Sequence, residues 1–298
     1  MASTAGSRTP RRRRRSARAR SNAWWRHLAA VAMCVFALFP LVYALSASLS
    51  ASGSLVGSNQ LFATVTDANY RQLFSDPQNP FPRWFLNSMM VSTITAIGTV
   101  LMGAAAAYAF SRFRFRGRRQ GLMALLIIQM FPQLLAFVAI FLLLFAISEV
   151  YPVLGLNSRF GLIAVYLGGA LGANTFLMFG FFNTIPRDLD EAATLDGASH
   201  SQIYWRMILP LVTPIIVVVG MLSFIASFSD FLLAQIVLQD PRQYTLAVGL
   251  YQFVSVEFGA DWGVFTAGAV LSALPVVLLF LFLQRYIVAG LTGGAVKG

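Results

Sequence analysis

Long apolar runs alternate with short polar segments along the chain, at about residues 28–48, 86–110, 122–147, 161–183, 207–233 and 264–286. Each can cross a bilayer as a helix, which takes roughly 20 apolar residues. In hydrocarbon every backbone N–H and C=O must be bonded internally, so a spanning segment is a helix or part of a closed barrel. Barrel strands would be about 10 residues long and alternate in polarity, and these runs do neither. The pattern predicts an all-α integral membrane protein with six transmembrane helices. A polar tail at 1–27 precedes the first span at 28–48, and a long outer loop at 49–85 follows it. A transmembrane domain fills 86–286, with a charged loop at 184–210, and a short tail ends the chain at 287–298.

Composition agrees: 57% of the 298 residues are hydrophobic and 11% charged, against about 25% charged in soluble domains. Charge then orients the chain. With the N-terminus inside, segments 1–27, 111–121, 184–206 and 284–298 carry eighteen of the 22 Lys/Arg. Only Arg71, Arg83, Arg159 and Arg242 stay outside. The positive-inside rule therefore places both termini and the 184–206 loop in the cytoplasm. Arg11–Arg15, Arg18, Arg20 and the cluster Arg112, Arg114, Arg116, Arg118 and Arg119 supply most of the +11 net charge. Beside a membrane span such arginines serve orientation and attraction to anionic lipid and are not read as a nucleic-acid site. Arginines followed by an apolar stretch and Ser46-Ala47-Ser48 resemble a signal peptide. The length of the stretch, with no soluble secreted domain after it, favours an uncleaved first helix. Cys34 is the single cysteine, so no intramolecular disulfide is expected.

Chemistry is sparse. Lys297 is the only lysine, which excludes a G-x-x-x-x-G-K-[ST] phosphate loop. His27 and His200 lie far apart, and no Cys/His cluster or Ser/His/Asp set sits at membrane depth. No catalytic residue, metal or cofactor is expected in this chain, and it is not read as an enzyme. A secondary transporter needs ionisable groups in mid-membrane, and only Asp230 qualifies. It is read either as a pathway or gate residue in the outer half of the fifth helix or as a helix-end contact with Ser227 or Ser229. Energy should therefore come from a partner, although a self-sufficient carrier or channel remains the competing class.

The loop at 184–206 carries four acids, Asp188, Asp190, Glu191 and Asp196, between two spans. It reads as two short helices. Pro186 suits a first turn, the acids sit where the helix dipole favours them, and Gly197 is placed to end the first helix. A second stretch runs from Ser199 to Ile208 and into Pro210. Physics alone leaves a docking element and an ordinary solvated loop equally open.

The pattern Glu191-Ala192-Ala193-x3-Gly197-x9-Met207-x-Leu209-Pro210 resembles the EAA signature of membrane subunits in binding-protein-dependent ABC importers. Met207 departs from the commoner isoleucine. Ala107-Tyr108-Ala109-Phe110-Ser111-Arg112, Gln129-Met130-Phe131-Pro132, Tyr244 to Gly249, Ala273-Leu274-Pro275 and the tail from Gln284 to Gly298 resemble the MalG-type permeases of maltose/maltodextrin importers. The likeness runs from about residue 80 to the end. It implies a type I ABC importer permease (MetI-like) fold in a bacterial cytoplasmic membrane, paired with a homologous MalF-type permease. It also implies two ABC ATPase subunits that bind ATP and Mg, and an extracytoplasmic sugar-binding protein. In that family Glu191 would pair with an ATPase arginine, Ala192 and Ala193 would pack, Gly197 would make the turn, and Leu209 and Pro210 would complete the element. The tail residues Gly293, Gly294, Val296, Lys297 and Gly298 would enter between the ATPases as an extended strip, where composition alone suggests a frayed end. Tyr251, Gln252, Phe253 and Glu257 would meet the binding protein, while Trp84 and Trp262 are read as interfacial belt residues. Prolines 40, 132, 214 and 275 lie within spans, and Gly168 to Gly172 forms a close-packing face. The cargo implied is maltose or maltodextrin, with trehalose or another oligosaccharide as the alternative.

Overall fold

A computed structural model describes residues 24–51, 60–255 and 260–295, with side chains described as far as residue 286. All regular elements among them are helical. They are α1 (Trp24–Ser48), α2 (Ala68–Ser75), α3 (Phe81–Arg112), α4 (Arg118–Gln129), α5 (Gln133–Val150) and α6 (Arg159–Phe182). The short α7 (Asp188–Leu195) leads to α8 (His200–Leu211) and α9 (Thr213–Ser229). Next come α10 (Leu232–Val237), α11 (Leu246–Tyr251) and α12 (Trp262–Ala295). The helices α1, α3, α5, α6 and the Trp262–Tyr286 part of α12 are each long and apolar enough to cross a membrane. A sixth crossing results when α8 and α9, bent by 78° at their junction, count as one span.

Two expected spans are thus interrupted or displaced. The run at 122–147 divides into α4 and α5 at Met130-Phe131-Pro132. Pro132 takes an extended ψ of 115°, and a residue before proline is pushed out of the helical region. The run at 207–233 starts earlier, at His200, and turns sharply at Val212, because Pro214 has no N–H to continue the ladder. It also ends earlier: Asp230 adopts ψ 127° and stops α9 at Ser229. In contrast, α12 continues through Gly290, Gly293 and Gly294 to Ala295, where an extended strip was expected. Each glycine costs about 1 kcal/mol in a helix, and a long established helix that gains a backbone bond per added residue carries that cost. Residues 1–23 of the arginine-rich tail, Glu257, Val296, Lys297 and Gly298 lie outside the described residues.

The long helix α3 runs through the centre, packed on α6 and α9, while α12 joins α9 to α1. Two apolar cores occupy the ends of this bundle. One gathers Tyr108, Phe182, Ile203, Ile208 and Val219; the other gathers Leu73, Phe81, Trp84, Leu246 and Phe253. A third, on the flank, joins Val91, Leu144, Leu162 and Val237. The expected loop at 49–85 is partly helical. Within it, α2 is fastened by Asn69 Nδ2, which donates to Ser48 O (2.9 Å) and Ser50 O (3.0 Å). By contrast α1 buries none of its apolar window in this chain and α5 only 6%.

Candidate functional site

The loop that carries Glu191 folds as the pattern of acids and glycine foretells. Asp188, Asp190 and Glu191 fill the first turn of α7, at the positive end of its dipole. Gly197 then adopts φ +82°. Its N–H bonds Thr194 O at 3.0 Å, and the N–H of Ala198 bonds Ala193 O at 2.9 Å. This pair of bonds is the Schellman arrangement, which favours glycine at the left-handed position. Ser199 restarts the chain with a reciprocal cap: its Oγ accepts from Gln202 N, and Gln202 Oε1 accepts from Ser199 N at 2.8 Å.

The C-terminus of α3 holds this loop from beneath. Arg112 Nε lies 3.1 Å from Asp190 Oδ2, with side chains only 7% and 18% exposed. The contact is an ion pair without hydrogen-bond geometry, since neither atom completes a hydrogen bond. Arg112 Nη2 also donates to Ile185 O (3.2 Å), Arg187 Nη2 donates to Ser111 O (2.9 Å), and Ser111 Oγ donates to Asn183 Oδ1 (2.9 Å). The Tyr108 ring lies 5.0 Å from that of Tyr204, and the Phe113 ring 5.3 Å from that of His200. Tyr108, Ser111 and Arg112 are therefore the scaffold of the loop, a role the sequence reading missed. The available signal was a cation at the end of one helix and a surplus of acids in a distant loop. Arg112 accordingly leaves the lipid-attracting cluster to which its neighbours belong.

This anchoring divides the two alanines. Ala193 is buried against Tyr108, Phe182, Ile203 and Ile208, so it packs within its own chain and not outward. Asp188, Glu191, Ala192 and Leu195 are exposed and share the opposite face at i, i+3, i+4 and i+7. Leu195 is 89% exposed. The free surface is a small acidic-apolar patch on a rigid support. Downstream, a π-helical turn spans Ile203–Ile208, and Leu209 N bonds Tyr204 O. Pro210 has no N–H for Arg206 O, which accounts for the shift to a wider turn. Leu209 packs on the same core, whereas Pro210 is exposed.

At the other end of the bundle, Asp230 sits at the break between α9 and α10. Its Oδ1 accepts from Tyr166 Oη (2.9 Å) and from Ala234 N (3.0 Å). These contacts match a helix-end role, with Tyr166 in place of the expected serines; Ser227 Oγ instead donates to Ser223 O in its own helix (2.7 Å). Beside it, an apolar cavity of about 550 Å³ is lined by Phe231, Leu250, Tyr251, Phe265 and Ala273.

The expected outer contacts separate. Tyr251 is exposed and Gln252 half-buried. Phe253 is buried, with its ring 6.1 Å from that of Trp84, so it serves the core and not a soluble partner. Trp84 is itself fully buried and donates Nε1–H to Pro241 O (2.8 Å), so it is not a belt residue. Gly249 permits this packing, because a Cβ there would lie 2.1 Å from the Trp84 ring. Asn87 fixes the same loop. Its Nδ2 donates to Arg242 O (3.1 Å) and Tyr244 O (2.9 Å), and its Oδ1 accepts from Arg159 Nη1 (2.7 Å). On the small-residue face of α6, Gln129 Nε2 donates to Gly169 O (3.1 Å) and lies where a Cβ on Gly172 would fall. Among the described residues no group of three or more His, Cys, Asp or Glu could hold a metal.

Comparison with known proteins gives a consistent picture. Residues 99–293 match the family described as binding-protein-dependent transport system inner membrane component. The chain is 40% identical to the galactooligosaccharides transport system permease protein GanQ of Bacillus subtilis, over 89% of this chain and 92% of that one. It is also 40% identical to the maltose/maltodextrin transport system permease protein MalG of Escherichia coli, over 91% and 95%. Among solved structures, a subunit of a bacterial ABC transporter that imports the polysaccharide alginate superposes with a TM-score of 0.75 at 23% identity, over 93% of this chain and 99% of that one. A chain of the MetNI methionine ABC transporter superposes with a TM-score of 0.54 at 18% identity, over 70% and 95%. At these identities the two structures speak for the fold alone.

Proposed function

The chain belongs to the family of binding-protein-dependent transport inner membrane components, and from that premise we propose that it carries maltose or maltodextrins. It is a multi-pass permease subunit of a sugar ABC importer, working with a substrate-binding protein and an ATPase. In our reading a homologous permease of the MalF type pairs with it, and two ATPase subunits bind ATP and Mg at its cytoplasmic side. The termini and α7 face the cytoplasm. The observation that carries this reading is the division of α7. Ala193, Asp190 and the Arg112 clamp bind the helix to α3, while Asp188, Glu191, Ala192 and Leu195 stay open. A helix fixed on one side and open on the other passes a push from a docked subunit into α3 and, through the bend at Val212, into α9.

For the cargo, maltose and maltodextrins stand first, supported by the MalG-like helix motifs and the Gln284–Gly298 tail. A galactooligosaccharide is the second reading, since GanQ is as similar as MalG. Uptake by proteoliposomes holding the whole transporter and its binding protein decides between them. ATP-dependent uptake of labelled maltotriose, undiminished by excess galactobiose, is expected. Uptake of galactobiose with none of maltotriose would overturn the cargo assignment. Uptake without ATP would overturn the coupling itself.

A further inference from the structure

Beside the turn that joins α3 to α4 lies a cavity of about 790 Å³ between α4 and Phe176 of α6, within the size range of small-molecule sites. It is built in two parts. Arg118 and Arg119 form its rim, and Leu122, Met123, Leu126 and Phe176 form its floor. Gly117, also in the lining, adopts φ +85° and starts α4 with no side-chain cap. Arg118 is held in place, with its guanidinium 5.9 Å from the centre of the Phe179 ring.

Charge here is uncompensated. The segment 113–126 contains four arginines and no acid. Arg112, the neighbouring cation, is already occupied by Asp190. Among the described residues no other carboxylate comes within ion-pair distance of any arginine except in the Arg71–Asp67 pair, at the other end of the bundle. A cationic rim over an apolar floor matches a molecule with an anionic head and hydrocarbon tails. Positive clusters at the ends of membrane helices attract anionic headgroups, by about fivefold in affinity per basic residue. The exposed Phe113 and Phe115 suit the headgroup level, where aromatic rings gather.

We propose that this cavity is a binding site for an anionic phospholipid of the cytoplasmic leaflet. Arg118 and Arg119 hold the phosphate, and an acyl chain lies on Leu122, Met123, Leu126 and Phe176. The leaflet rests on the cytoplasmic placement of α7 proposed above; the site itself does not.

The test is native mass spectrometry of the whole detergent-solubilised transporter, titrated with dioleoylphosphatidylglycerol or dioleoylphosphatidylcholine. Phosphatidylglycerol should bind at least tenfold more tightly. The pair Arg118→Gln and Arg119→Gln should weaken it by roughly thirtyfold, as two basic residues imply. Met123→Trp, which fills the floor and keeps the charge, should weaken it at least tenfold. Arg114→Gln with Arg116→Gln, outside the cavity lining, should weaken it clearly less than the Arg118/Arg119 pair does. Equal losses from both arginine pairs, or none from Met123→Trp, would reduce the site to diffuse surface charge and overturn the proposal. So would dissociation of the ATPase subunits from the Arg118/Arg119 variant at every lipid concentration, which would assign the rim to a protein partner. Labelling of Arg119→Cys in vesicles with a membrane-impermeant maleimide tests orientation separately. Exclusively outer-face labelling would overturn the topology and leave the detergent titration to decide the site.

Discussion

Replacing Arg112 by methionine should release α7 from α3 while leaving the membrane bundle intact. Methionine keeps much of the stem but removes the guanidinium that lies 3.1 Å from Asp190 and donates to Ile185 O. Removing one member of a buried ion pair costs about 3–5 kcal/mol. Asp190 retains 18% exposure, and the pair lacks hydrogen-bond geometry, so the lower end, about 3 kcal/mol, applies. At 1.4 kcal/mol per tenfold, local opening of α7 should rise by roughly a hundredfold. Hydrogen exchange, read on peptides covering Asp188–Leu195 in the assembled transporter, should show that loss of protection. Peptides from the centre of α6 should be unchanged. Asp190→Leu added to Arg112→Met should recover part of the loss, because no unpaired charge remains. Unaltered exchange of α7 in Arg112→Met would refute the clamp, and so would equal loosening of α6.

Three further outcomes follow from the same contacts. Gly197→Ala places a Cβ at φ +82° and should destabilise the α7 end by about 1–2 kcal/mol, seen as faster exchange of residues 193–198. Gly249→Ala drives a Cβ to 2.1 Å from the fully buried Trp84; overpacking of about 1–3 kcal/mol should lower the melting temperature in detergent, and an unchanged melt would contradict that packing. Asn87→Leu strips partners from Arg159, Arg242 O and Tyr244 O, at about 1–3 kcal/mol per unsatisfied buried group. Limited proteolysis should then cut within residues 238–246.

The six apolar runs were legible because bilayer thickness imposes a length that composition must meet. Where proline interrupts a run, the sequence marks the place but not the outcome. Pro132 opens a break and Pro214 joins a 78° bend, whereas Pro40 and Pro275 remain inside helices; neighbouring helices decide which occurs. The turn at Gly197 was legible, since few residues other than glycine tolerate its φ. The division of Ala192 from Ala193 was not, because identical side chains carry no label for inside and outside. Trp84 looked like a surface aromatic from its position near a helix end and Phe253 like a partner contact from the family resemblance, and only the inward fold of residues 238–253 over α3 buries them. Arg112 was hidden by its neighbours: one cation in a cluster reads as surface charge until an acid 78 positions later in the chain folds against it.

The decisive observation is sugar-stimulated ATP hydrolysis by the reconstituted transporter carrying Glu191→Lys. Glu191 is exposed, and its support of its own chain is its place at the positive end of the α7 dipole, worth about 0.3–1 kcal/mol. The variant should therefore insert and assemble with its partner permease as the wild type does, yet lose stimulation of hydrolysis by sugar and binding protein. Wild-type stimulation in that variant would show that the free face of α7 is not where the ATPase engages.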